Sequence, residues 1–111
     1  MTPPPPADPS LATFREKVRP VLTDADTGLR MLGSASGTDA QQIVDQLRQD
    51  AERLSDSVAP SSIADDWSTR SAAYLNALSR LQDAYQTNSG VQAARDAAAS
   101  AEQALKQLVG L

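Results

Sequence analysis

The chain has 111 residues, 41% of them hydrophobic and 22% charged, with a formal net charge of −4. That length fits one domain with a modest core, burying roughly two-thirds of the unfolded chain's surface. Cysteine and histidine are both absent, which excludes disulfides, Cys/His zinc sites, haem held by His or Cys, and any triad with a histidine base.

The chain opens Met1-Thr2-Pro3-Pro4-Pro5-Pro6-Ala7-Asp8-Pro9. Consecutive prolines favour an extended polyproline II rod and cannot enter a helix interior. Residues 1–8 are therefore expected to be a disordered Pro-rich leader or linker. A spacer left behind an export signal or lipid anchor is the alternative.

From residue 9 to residue 111 the pattern is helical. Helix 1, over about 9–32, carries Leu11, Phe14, Val18, Val21, Ala25, Leu29 and Leu32 in one stripe. Asp8 is its expected cap, Pro9 its first residue, and Gly33 its C-terminal stop. Pro20 removes one hydrogen bond of that helix, so a kink or a break there is expected.

Helix 2, over about 39–58, follows a capping box of Thr38 and Gln41. Its stripe runs Ala40, Ile43 with Val44, Leu47, Ala51, Leu54 and Val58, and Pro60 ends it. Helix 3, over about 62–87, has Ser61 or Ser62 as its expected cap and Asp65 and Asp66 in its first turn. Its stripe is Ile63, Trp67, Ser71, Tyr74 with Leu75, Leu78, Leu81 and Tyr85. Helix 4, over about 90–109, follows a second capping box, Ser89 with Gln92. It presents Val91, Ala94, Ala98, Ala101, Leu105 and Leu108. Short connections make sequential helices antiparallel neighbours, so the expected fold is all-α, an antiparallel up-down-up-down four-helix bundle.

Many of the charges have a structural explanation. Asp26 and Arg30, Arg48 and Glu52, Asp66 and Arg70, and Glu102 and Lys106 are spaced to pair along helix surfaces, each pair worth about 0.2–0.5 kcal/mol. Asp24 with Asp26, and Asp65 with Asp66, are the tightest carboxylate groups. Residues one or two apart on a helix do not point together, so neither is expected to hold a hard cation. Met31 is expected to flank the core seam. No basic stripe suggests nucleic-acid binding. No apolar run is long enough to span a bilayer, so a membrane tether is possible only through a lost N-terminal anchor. Catalytic residues, cofactors and metals are not expected, and neither is enzymatic activity: the many hydroxyls have no base, and no phosphate-binding loop is present.

Trp67, Tyr74 and Tyr85 are the candidate pocket or interaction residues, on one face of helix 3. The leading functional expectation is a non-enzymatic helical interaction or scaffold module that binds a protein partner or self-associates. The first alternative is a small-molecule carrier with an apolar cleft between helices 3 and 4. The second is a cytoplasmic assembly component that completes a bundle with a partner. A Pro-rich opening followed by an Ala/Gln/Asp-rich bundle is similar in composition to small bacterial cell-envelope proteins and lipoprotein ectodomains. That resemblance tilts the expected location towards extracytoplasmic.

Overall fold

In the computed structural model, residues 10–111 are described. The leader, the Asp8 cap and the Pro9 start lie outside them. Four α-helices account for the fold: α1 (Leu11–Met31), α2 (Gly37–Asp56), α3 (Ala64–Thr87) and α4 (Val91–Val109). No strand occurs among the described residues.

Every expected helix forms, with ends that differ from those expected. Helix α1 is capped by Ser10, whose hydroxyl accepts from the Thr13 backbone N–H at 3.1 Å. Ser36 precedes α2, so Thr38 lies inside the helix and its capping box is not used. The cap position of α3 falls on Ile63, one residue beyond the expected serines, with Asp65 and Asp66 in the first turn as expected. Gly90 takes the cap of α4 in a left-handed conformation (φ 67°) instead of Ser89. Asn88, also left-handed, ends α3, so two turn residues reverse the chain where a hydroxyl cap had been expected. Gly33 follows α1 without a left-handed φ; its N–H bonds the Arg30 carbonyl at 3.1 Å in a tightened last turn.

Pro20 does not break α1, which is one helix on both sides of it. Its ring sits on an exposed face, so the lost hydrogen bond frees a carbonyl on the solvent side.

Helix α1 packs against α2 and α4, and α3 packs against the same two. Across the α1–α3 and α2–α4 diagonals the backbones stay apart, and side chains fill the centre. Phe14 meets Trp67 edge-on, with ring centroids 4.8 Å apart and planes at 84°. Trp67 Nε1 donates to the Leu54 carbonyl at 2.8 Å, joining the start of α3 to the end of α2. Leu22, Leu47, Leu54, Leu78, Leu81 and Leu105 are fully buried, each worth about 1.5–3 kcal/mol relative to exposure. Gly28 lets α1 and α2 approach: a Cβ there would lie 2.8 Å from Leu47 Cδ2.

Arginines bind the helices at their ends. Arg15 Nε donates to the Val109 carbonyl at 2.6 Å, Arg70 Nη1 to Ala104 at 2.8 Å, and Arg95 Nη1 to Leu32 at 3.2 Å. Of these donors, Arg70 had been expected to pair with Asp66 on its own helix.

Candidate functional site

The three aromatic candidates separate. Trp67 and Tyr74 are buried in the core, while Tyr85 is half-buried and borders a hollow of about 530 Å³ with Leu32, Gly37, Val91 and Arg95. Tyr85 Oη and Arg95 Nη1 both donate to the Leu32 carbonyl, so their polar tips are engaged in holding the end of α1. The Tyr74 hydroxyl is buried with no hydrogen-bond partner. Burial, together with the charges of Glu102, Asp50 and Asp26, drives its ionisation far above the usual phenol range.

Those three acids come from α4, α2 and α1. Glu102 is only 1% exposed, although it had been expected on a solvated face beside Lys106. The buried spacing on α4 is Ala98, Glu102, Leu105 and Val109. An apolar template passes over Glu102 because of its charge and selects Ala101 and Leu108, which are half-buried. Lys106 leaves Glu102 and bonds Asp26 of α1, Nζ to Oδ2 at 2.9 Å. The Glu102 carboxyl also hydrogen-bonds Asp26. A neighbouring carboxylate disfavours a second negative charge, so one of two adjacent acids is pushed towards its neutral form. Burial first, then the Asp26 bond and charge, push Glu102 up to about 8. Burial also raises Asp26, but bonds from Glu102 and Lys106 outweigh it and leave the group below the usual carboxylate range. The Asp26 bond in turn raises Lys106. Glu102 Oε1 remains buried and unpartnered.

Two of the other expected surface pairs also give way to contacts between elements: Arg48 hydrogen-bonds Gln82 of α3, and Arg70 reaches α4. Arg30 stays on its own helix, its Nε donating to the Asp26 backbone carbonyl at 3.4 Å.

A second region lies between α1 and α2. Two hollows, of about 470 and 320 Å³, share Met31, Ile43 and Gln46 and form one groove. Met31 is 53% exposed, so it stands open at the groove rather than closing the seam. Carboxylates flank it: Asp39 at one end, Asp24 and Asp50 at the other. No lysine or arginine lines either hollow. Asp50 is only 4% exposed. Its Oδ1 accepts from Gln46 Nε2 at 3.3 Å and lies 3.9 Å from Arg53 Nη1, on a side chain that is 71% exposed. Burial raises the Asp50 carboxyl; Gln46 and Arg53 oppose that, and the Asp24 charge adds to it. The Asp24–Asp26 pair thus points two ways, Asp24 into the groove and Asp26 to Lys106.

Among the described residues, no group of three or more acidic side chains is placed to hold a metal ion, and no helix is long and apolar enough to cross a membrane. No protein-family model, curated protein or solved structure matches the chain. Geometry alone has to carry the functional reading.

Proposed function

We propose that this protein is a non-enzymatic helical interaction module whose docking face is the α1–α2 groove. The observation that carries it is Met31, more than half exposed in a groove that it lines together with the half-buried Ile43. An exposed thioether over a half-buried isoleucine adapts to partner surfaces at little conformational cost. The bundle behind it is proposed to run up-down-up-down, with α1 kinked at Pro20. Supporting the antiparallel course of α1 and α4 are the contacts of Arg15 at the start of α1 with the end of α4, and of Arg95 near the start of α4 with the end of α1. The cell-envelope location stays attached to this proposal through composition, with the Pro-rich leader as the tether.

The test is a photoreactive residue at position 31, with the same residue at exposed Ser79 on α3 as control. A saturable adduct formed from position 31 alone, and competed away by unlabelled protein, is expected. Equal labelling from both positions, or none from position 31, would sink the docking reading.

A small-molecule carrier is favoured by one observation, the hollow beside Tyr85. Native mass spectrometry of gently purified protein decides it: a discrete retained mass, lost in Tyr85→Ala, would put the carrier first.

A further inference from the structure

We propose that the α1–α2 groove seats an amphipathic helix of a partner protein, with an apolar side chain against Met31 and Ile43 and a lysine or arginine between Asp24 and Asp50. This rests on the docking reading above and names its partner. The groove lies between two helices, a shape that accepts a third helix by its apolar face. Its charge selects the partner. Asp24, Asp39 and Asp50 line it, and no cation does.

Asp50 makes the choice specific. Its carboxylate is almost wholly buried, yet its compensation is a neutral amide at 3.3 Å and a guanidinium at 3.9 Å on a solvent-exposed side chain. A buried carboxylate so weakly paired is improved by a cation that arrives already shielded from water. Asp24, lining the same hollow, would hold the other side of that cation. The Asp26–Lys106 pair offers no such vacancy, because its cation is built in at 2.9 Å.

Register follows from the helix. Asp24 and Met31 are seven residues apart on α1, about 10 Å along its axis. The partner's cation and its apolar anchor therefore stand about two turns apart on its own helix.

The test uses the full chain, isotope-labelled for amide NMR, and a synthetic helical leucine peptide carrying lysine seven residues from a central leucine. A matched peptide of the same length replaces each lysine by glutamate. The lysine peptide is expected to shift amides of the groove residues saturably, at least about tenfold more tightly than the glutamate peptide. Binding should weaken as salt is raised. Asp24→Asn, on an exposed position, should narrow that gap, and Met31→Lys should abolish binding while leaving the melting temperature unchanged. Equal binding of both peptides would overturn the charge assignment and leave docking at the groove intact. Neither peptide shifting the groove, with the position-31 adduct still forming, would overturn the partner chemistry alone. Loss of that adduct as well would remove the docking reading. Groove shifts that grow with protein concentration before any peptide is added would make the occupant a second copy of this chain, and overturn the proposal.

Discussion

Asp24 and Asp26 lie two residues apart on one helix and meet opposite fates. Asp26 faces α4, where Lys106 bonds it within the chain and the buried Glu102 carboxyl, its pKa raised to about 8, stands beside it. Asp24 faces α2, where it joins a half-compensated Asp50 beside an exposed methionine. One side of α1 is closed electrostatically and the other is left open. A charge pair completed inside the molecule serves the fold, whereas a carboxylate buried without a close cation leaves binding energy for something else.

The comparison can be broken at several strengths. The largest effect is expected from Leu105→Ala, one turn from Glu102 on the closed side, which should cost about 2–5 kcal/mol in chemical denaturation. Met31→Ala on the open side should stay within about 0.5 kcal/mol. Similar costs for the two would mean that the groove is structural.

Next is Gly28→Val. Its branched side chain would meet Leu47, already within 2.8 Å of an added Cβ. A loss of about 1–3 kcal/mol is expected from overpacking, seen as a lower denaturation midpoint.

The pH dependence comes third. Glu102 is raised to about 8 from 4.5 in the unfolded chain. Its contribution is therefore complete below the unfolded value and lost as pH rises through the folded one. Asp50, also raised, acts in the same sense. Asp26, which is lowered, acts oppositely: its contribution is present above about 3.8 and lost in acid. Stability should thus fall between about pH 5 and pH 9. Glu102→Gln, whose amide donates to Asp26 as the protonated acid does, should remove most of that fall and gain about 1–3 kcal/mol at pH 9. A variant with the parent's pH profile would show that no proton is held between the two acids.

The smallest effect is Lys106→Met. The Lys106–Asp26 pair keeps about a quarter of each side chain exposed, so solvent screening limits the loss to about 1 kcal/mol or less. Raised salt should shrink the difference further.

Much of the fold was legible because apolar residues recur at the helical period in all four segments. Phe14, Val18, Ala25 and Leu32, Val44, Leu47 and Leu54, and Trp67, Tyr74, Leu78 and Leu81 were all marked, and all are buried. The caps were less legible. A serine or threonine near a helix start competes with left-handed glycine and with neighbouring turns, and local sequence does not rank them. Leu22 and Ala77 were missed because a narrow stripe was drawn where a buried helix presents a wider face. The candidate site was hardly legible: the marked aromatics Trp67, Tyr74 and Tyr85 lie outside the groove, Glu102 was placed in a surface pair because it carries charge, and Asp50 was not marked.

The amino-acid sequence by itself determined that the chain is helical, where its four helices lie, and which apolar side chains they bury, because backbone hydrogen bonding and the 3.6-residue period act within each segment. Tertiary structure alone decided the partners of the charges. Lys106 could have served Glu102 on its own helix, but packing carried Glu102 inward and brought Asp26 to within 2.9 Å of the amine. It likewise left Met31, Asp24 and Asp50 together on a groove. The cost of burying a carboxylate depends on what faces it from another helix, and no spacing within one helix records that.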